Sequence, residues 1–193
     1  MSTSYSFFAY VSRMKLIERW ALMRSAQREN IAEHCMLTAS LAHVLGLIHN
    51  DMYPDKVDTD RMAVCALYHD LSEVLTGDMP TPIKYNNVAI REAYKQVEAA
   101  ANEKLVTLLP PSLQGEFRDI LCLDPGTTEA KLIKAADTLS AYIKCIEECA
   151  MGNTDFADAK DATLVKLNSM HLAEVDFFLS SFIKPIGMPV DSL

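Results

Sequence analysis

The apolar residues of this chain recur with helical spacing along almost its whole length, and this periodicity constrains the fold more than any other feature. The alternating runs rich in Val, Ile and Thr that predict β-strands are missing. Asn30, followed three positions later by Glu33, is typical of a helix N-terminus. The sequence therefore predicts an all-α fold, with helices near residues 5–19, 31–49, 59–70, 88–108, 112–122, 128–150 and 156–182.

The length of the chain, 193 residues, fits one domain with a proper hydrophobic core. No internal repeat, low-complexity tract or linker interrupts it. We expect a single helical domain over residues 1–193, with its core at about 5–182 and a short tail at 183–193.

The charge and composition exclude several classes of protein. A net charge of −8 makes binding to a nucleic-acid polymer unexpected, because that affinity requires many Lys and Arg side chains. A small phosphorylated ligand would need only a metal ion and one or two basic side chains. The apolar runs look too short to cross a membrane, and the N-terminus lacks the features of a signal peptide. The five cysteines are typical of reduced thiols, so we expect a cytoplasmic protein.

The stretch LYHDLSEVLTGDMPTP, residues 67–82, carries the most chemistry. Neighbouring helical residues point about 100° apart, so His69 and Asp70 can bind one ion only where the helix ends. Imidazole nitrogen with carboxylate oxygen suits Mn, Fe, Co, Ni or Zn better than Ca or Mg. Glu73 lies one turn later and would be a suitable general acid or base. A solvated helix end explains the His-Asp pair equally well on residue type alone.

His34 is a second candidate ligand. Helical geometry places it on the core side of its helix, with Ile31, Leu41, Leu45 and Ile48. A core histidine with one hydrogen bond is the simpler interpretation of this position taken alone.

Asp137 is a weaker candidate by the same reasoning. It points nearly opposite to the apolar stripe formed by Leu132, Leu139, Ile143 and Ile146, so periodicity predicts that it is exposed to solvent. Small residues beside it leave room for a ligand.

Together, His34, the pair His69-Asp70 and Asp137 reproduce the H…HD…D pattern of the HD-domain metal phosphohydrolases. The resemblance is closer than that. The segments FFAYVSRMKLIERWALMR, ENIAEHCMLTASLAH, ALYHDLSEVLTGDMPTPIKY and KAADTLSAYIKCIEE resemble the bacterial HD-domain 5′-deoxynucleotidases of the YfbR type. The similarity covers roughly residues 5–180, and the segment around His69 is its most specific part.

The resemblance implies an HD-domain helical bundle that acts as a metal-dependent 5′-deoxynucleotidase. Such an enzyme hydrolyses 2′-deoxyribonucleoside 5′-monophosphates to deoxynucleoside and phosphate by attack of a metal-activated water. It implies one divalent transition metal, with Co²⁺ best supported and Mn²⁺, Fe²⁺, Ni²⁺, Cu²⁺ or Zn²⁺ as alternatives. The implied metal ligands are His34, His69, Asp70 and Asp137. A homodimer is also implied.

The resemblance further assigns roles around the metal. Glu73 would be the catalytic acid, Arg19 would contact the phosphate and Trp20 the sugar. The other implied substrate contacts are Asp70, Asp78, Met79, Pro80, Thr81 and Asp137. Without the resemblance, Arg19 would read equally well as a solvated helix-end residue, and Trp20 would read first as packing.

Three alternatives stay open from the sequence. One is an HD phosphohydrolase that acts on another nucleotide, such as a deoxynucleoside triphosphate or guanosine tetraphosphate. Another is a non-catalytic HD module that binds a nucleotide, although Glu73 and every ligand position are retained here. The last is an all-α scaffold whose acidic residues are coincidental.

Overall fold

The computed structural model describes residues 4–80, 83 and 87–192. Regular structure in these residues is helical, apart from one isolated antiparallel bridge between Glu18 and Asn30. The α-helices are α1 (Phe7–Val11), α2 (Ile31–Met52), α3 (Thr59–Tyr68), α4 (Glu73–Thr76), α5 (Val88–Thr107), α6 (Pro111–Leu121), α7 (Thr128–Ala150), α8 (Ala157–Asn168) and α9 (Ala173–Phe182). Short 3-10 turns cover Met14–Leu16, Thr154–Phe156 and Val190–Ser192. The all-α prediction is confirmed.

The chain divides into two compact units. The first unit contains the described residues up to Leu22, then Arg28–Cys35 and Tyr68–Asp124. Helices α5 and α6 pack against each other here, and α4 packs against α5. The core of this unit consists of Phe7, Met14, Ile31, Cys35, Leu71, Leu105 and Leu109. Apolar burial of this kind holds α1, the start of α2 and α5 together.

The second unit contains Met23–Gln27, Met36–Leu67 and the described residues from Pro125 onward. Helix α7 packs against α8, and α8 contacts α9. At Gly46, α2 approaches α3 so closely that a Cβ would lie 2.9 Å from Thr59 Cγ2. The expectation of a single domain over the whole chain stays a prediction.

The start of α2 is fixed by its N-cap. The Asn30 side chain accepts hydrogen bonds from the backbone N–H groups of Ala32 and Glu33, both over 3.1 Å. The Glu33 carboxylate accepts the Asn30 N–H over 3.2 Å in return. These reciprocal bonds form a capping box, as the sequence predicts.

Helix α2 has the length and apolar composition of a membrane-crossing helix, contrary to the expectation that every apolar run is too short. This is weak evidence by itself, since the core helices of soluble proteins meet the same criterion. Half of the apolar stretch is buried inside the protein.

The predicted helix over 5–19 is wrong in its extent, because it breaks after α1. The Ile31 N–H donates to the Ile17 carbonyl over 3.0 Å, and the Arg19 N–H donates to the Glu29 carbonyl over 2.9 Å. The backbone therefore pairs with the residues that precede α2 instead of continuing as a helix. Arg19 lies in an irregular segment and not at a helix end.

The predicted helix over 156–182 is also wrong, because it is two helices, α8 and α9. His171 between them has a φ of 51°, a left-handed conformation that no helix continues through. The Ser169 N–H still bonds to the Val165 carbonyl over 3.0 Å, which closes α8. Neither Gly nor Pro marks this break, so composition could not reveal it.

Candidate metal centre

Three of the four predicted metal ligands converge in the first unit. His34, His69 and Asp70 each offer one ligand atom, and the three atoms lie within 4.8 Å of one another. Asp70 Oδ2 lies 3.5 Å from His34 Nε2 and 3.2 Å from His69 Nε2. Two imidazole nitrogens and a carboxylate oxygen around one point suit a divalent transition metal. The donor set therefore fits the ion that the sequence predicts.

His34 is positioned by the first turn of α2. Its backbone N–H bonds to the Asn30 carbonyl over 3.1 Å, and its side chain is completely buried. The capping box thus fixes the rotation of α2 that directs His34 to the site. The prediction that His34 faces the interior is confirmed.

His69 and Asp70 lie in the turn that follows α3, which ends at Tyr68. Leu71 is fully buried and anchors this turn in the core of the first unit. The Glu73 N–H bonds to the Asp70 carbonyl over 3.0 Å and begins α4, and the Glu73 side chain is itself buried. The side chains of His69 and Asp70 are only 16% and 25% exposed, which does not match a solvated helix end.

The surroundings of His69 set its protonation before any metal binds. Burial opposes the charged ring, but the Asp70 carboxylate outweighs it and raises the pKa of His69 well above its usual value. On its other side, His69 Nδ1 lies 3.6 Å from Cys35 Sγ. Burial raises the pKa of the Cys35 thiol, which keeps it neutral. A neutral sulfur beside Nδ1 leaves Nε2 to face the other donors.

Arg19 and Trp20 lie beside this donor set in the first unit. Arg19 Nη1 is 3.8 Å from Asp70 Oδ2, and the guanidinium carbon lies 6.0 Å from the centre of the Trp20 ring. Trp20 has a φ of 62°, a conformation that non-glycine residues rarely adopt. Glu29 contacts both side chains, and no sequence pattern marks it as part of the site.

The segment after α4 carries the remaining predicted substrate contacts. Gly77 has a φ of 75°, which ends α4, and its carbonyl accepts a hydrogen bond from the Tyr94 hydroxyl over 3.4 Å. Asp78, Met79 and Pro80 follow as a partly buried irregular segment. Thr81 lies outside the described residues.

Asp137 lies on α7 in the second unit, where Lys134 forms an ion pair with its carboxylate over 2.5 Å. Its side chain is only 20% exposed, so the prediction of a solvent-exposed residue is wrong. The reason is that α7 is buried around most of its circumference, including Ala136, Thr138 and Ser140. Its role as a ligand and substrate contact stays a prediction.

Two buried polar pairs in the second unit escaped the sequence analysis. Lys144 pairs with Glu148 over 2.5 Å within α7, so Lys144 is not a solvated residue. His49 Nδ1 lies 2.6 Å from Glu174 Oε1, and both side chains are buried. The spacing of Lys144 and Glu148 along α7 was the one signal available for the first pair. The second joins distant parts of the chain.

The sequence matches a family model described as 5′-deoxynucleotidase YfbR-like over residues 6–186. A 5′-deoxynucleotidase of Vibrio vulnificus is 44% identical over 188 residues, which cover 97% of each chain. A 5′-deoxynucleotidase of Cronobacter sakazakii is 44% identical over 194 residues, covering 100% of this chain and 97% of its own.

Solved structures show the same fold. An HD-domain phosphohydrolase from Listeria innocua superimposes with a TM-score of 0.81 at 25% identity, over 94% of this chain and 88% of that one. An HD phosphohydrolase of cyanophage S-2L, bound to dA and one catalytic Zn²⁺ ion, superimposes with a TM-score of 0.65 at 20% identity, over 91% and 95%.

Proposed function

Because the chain belongs to the YfbR-like 5′-deoxynucleotidase family, we propose that His34, His69 and Asp70 form the centre of its hydrolytic site. The chain is a hydrolase that converts 2′-deoxyribonucleoside 5′-monophosphates to deoxynucleoside and phosphate. The observation that carries the proposed site is the convergence of these three side chains, from α2 and from the turn after α3, on a region 4.8 Å across.

The proposed cofactor is one divalent transition metal, and Co²⁺ is the ion that we expect to support the highest activity. Its ligands would be His34, His69 and Asp70, with Asp137 as the fourth by family resemblance. When bound, such an ion lowers the pKa of a water ligand and neutralises phosphate charge. The mixed nitrogen and oxygen donors support this choice over Ca²⁺ or Mg²⁺.

Arg19 is the proposed phosphate contact. Its guanidinium lies beside Asp70, within 3.8 Å, so a phosphate at the donor set would also be near its terminal nitrogens. The planar fork of an arginine pairs with two phosphate oxygens, which a lysine cannot reproduce. Arg19 would therefore orient the phosphorus for in-line attack.

Glu73 is the proposed catalytic acid. The 5′-oxygen leaves as a poorly stabilised alkoxide, so a proton delivered as the ester bond breaks lowers the barrier. The backbone bond from the Glu73 N–H to the Asp70 carbonyl keeps this carboxyl one turn from the donor set.

Trp20 and Asp78 are the proposed sugar contacts, and Met79, Pro80 and Thr81 would complete the nucleotide pocket. We propose that the Trp20 ring lies against C2′, where a 2′-hydroxyl would collide with it, while Asp78 accepts the 3′-hydroxyl. Exclusion of a hydroxyl by an apolar wall gives a discrimination of about a hundredfold.

A substrate panel tests the function directly. Metal-free protein is reloaded with Co²⁺, Mn²⁺ or Zn²⁺ and assayed for phosphate release from dAMP, AMP and dATP. We expect dAMP to be hydrolysed most efficiently and His69→Ala to retain neither bound metal nor activity. Preferential hydrolysis of dATP, or equal turnover by His69→Ala, would contradict the proposal.

We also propose that the protein acts in the cytoplasm as a homodimer, without a membrane or a nucleic-acid polymer as partner. The chain has five cysteines, an odd number, and three of them are buried in the helical core, which is typical of reduced thiols in a reducing compartment. Light scattering during gel filtration measures the molar mass in solution. A mass of one chain, 21.5 kDa, would exclude the homodimer.

A further inference from the structure

One oxygen of Glu29 contacts both side chains that the proposed function places against the substrate. Trp20 Nε1 donates a hydrogen bond to Glu29 Oε2 over 2.8 Å. Arg19 Nε lies 3.2 Å from the same oxygen. The side chains of Arg19 and Glu29 are only 14% and 11% exposed, so water screens this ion pair little.

The backbone holds Glu29 in register with these residues. The Arg19 N–H donates to the Glu29 carbonyl over 2.9 Å. The neighbouring residues, Glu18 and Asn30, form an antiparallel bridge between the same two segments. Asn30 is the N-cap of α2, whose first turn carries His34. The position of the Glu29 carboxylate is therefore tied to the metal donor set through hydrogen-bonded backbone.

The contact with Glu29 determines which edge of the guanidinium faces the site. Glu29 contacts the Nε side of Arg19, while Arg19 Nη1 lies 3.8 Å from Asp70 Oδ2. The terminal nitrogens, which form the fork that binds phosphate, are thus directed to the donor set. The ion pair with Glu29 thereby restricts the rotamers of the long Arg19 side chain.

Trp20 needs such a restraint even more. Its φ of 62° is strained for a residue with a Cβ, and such a conformation persists only where the surroundings hold it. The indole N–H bond to Glu29 is a contact of this kind, because it holds the ring to the segment that precedes α2.

We propose that Glu29 is a positioning residue that orients Arg19 and Trp20 together, so that one carboxylate sets both the phosphate contact and the deoxyribose contact. This inference rests on the proposed function of Arg19 and Trp20. Glu29 itself makes no contact with the substrate in this scheme. Its loss should disturb substrate orientation and sugar discrimination at once, while metal binding is retained.

Tryptophan fluorescence gives a readout that does not depend on activity, since Trp20 is the only tryptophan of the chain. The emission spectrum and acrylamide quenching are compared for the Zn²⁺-loaded wild type, Glu29→Ala and Glu29→Gln. We expect a red shift and stronger quenching in Glu29→Ala, because the indole loses its tether. Glu18→Gln is the matched control, an exposed glutamate next to Arg19, and should match the wild type.

The kinetic test compares dAMP with AMP in the Co²⁺-loaded proteins. Hydrogen bonds to charged groups predict a loss of kcat/KM for dAMP of roughly tenfold to a hundredfold in Glu29→Ala. The ratio of kcat/KM for dAMP to that for AMP should also fall. Glu29→Gln keeps an acceptor oxygen for the indole but loses the charge, so its ratio should stay near that of the wild type while its kcat/KM drops.

The outcomes separate this inference from the proposed function. If the wild type hydrolyses dAMP but Glu29→Ala keeps the wild-type ratio and emission, Glu29 does not position these residues. If Glu29→Ala does not fold, unchanged kcat/KM in Glu29→Gln overturns the inference in the same way. If the wild type does not hydrolyse dAMP, the function is wrong, whereas the fluorescence comparison still decides whether Glu29 holds the indole.

Discussion

At the scale of single residues, substitution of Glu73 should lower the rate of hydrolysis without lowering the bound metal content. Glu73→Gln keeps the shape of the side chain but cannot supply a proton, so we expect kcat for dAMP to fall about 10²- to 10⁴-fold. Metal content, measured by atomic emission, should not change. Glu92→Gln, at an exposed position of α5, is the control and should keep wild-type kcat. A loss of metal together with activity would show that Glu73 acts on the ion instead.

Trp20 is the residue where sugar selectivity should be lost. Trp20→Ala removes the apolar wall, so the ratio of dAMP to AMP turnover should shrink by up to about a hundredfold. The ratio of dAMP to AMP turnover should fall mainly because AMP turnover rises. The ratio of kcat/KM values measures this, and an unchanged ratio would exclude Trp20 as the gate.

At the scale of helices, Glu148 on α7 anchors the segment Met23–Gln27. It accepts the N–H groups of Ala26 over 2.7 Å and Gln27 over 3.0 Å, together with Lys144 Nζ. Glu148→Gln places an amide among these donors, so the free energy of unfolding at pH 7 should fall by about 3 kcal/mol. Urea denaturation measures the change, and the exposed neighbour Glu147→Gln should stay within about 0.5 kcal/mol of the wild type.

The same anchor predicts a dependence on pH. Burial opposes the charged form, but the bonds from Lys144, Ala26, Asn153 and Gln27 lower the pKa of Glu148 from 4.5 to about 2. A folded-state pKa below the unfolded value gives stability that is present above pH 4.5 and is lost as the pH falls towards 2. The difference between wild type and Glu148→Gln should therefore shrink at acidic pH. A difference independent of pH down to 2.5 would show that the carboxylate is not the anchor.

Sequence patterns predicted correctly those helix ends that are set by hydrogen bonds between residues a few positions apart. Asn30 with Glu33 marked the start of α2 correctly, because capping bonds join residues three positions apart. The breaks after α1 and at His171 have no such local cause. The first depends on pairing of Ile17 with Ile31, a contact that periodicity does not encode.

At the scale of the whole molecule, the site was predicted from the H…HD…D motif and not from helical periodicity. Helical periodicity placed His34 in the interior correctly, yet it placed Asp137 in solvent, because a helix buried on most sides has no single apolar stripe. Glu29 was missed because its partners, Arg19 and Trp20, meet it across a loop. Contacts of this kind depend on tertiary structure, and a single sequence carries no signal for them.

Metal binding should stabilise the whole protein in a way that depends on pH. Asp70 raises the pKa of His69 against the effect of burial, so in the metal-free protein this ring is charged near neutral pH. Its contribution to stability is present below the unfolded pKa of about 6.5 and is lost as the pH rises through the folded value. A metal ion must displace that proton, so its affinity should rise with pH.

A rise in pH therefore strengthens metal binding while it removes the stabilising contribution of the charged His69 ring. At a hundredfold excess of free ion over Kd, binding contributes about 2.7 kcal/mol, which corresponds to roughly 5–10 °C in Tm for a chain of this length. Zn²⁺ should therefore raise Tm strongly at pH 8 and weakly at pH 5.5, while the Tm of the metal-free protein should lose its His69 contribution as the pH rises. Scanning calorimetry with and without chelator measures both. His43→Ala, a partly exposed histidine outside the donor set, should keep the full metal effect, whereas His69→Ala should abolish it. An equal Zn²⁺ shift at both pH values would mean that the ion does not compete with a proton on His69, and hence that His69 is not its ligand.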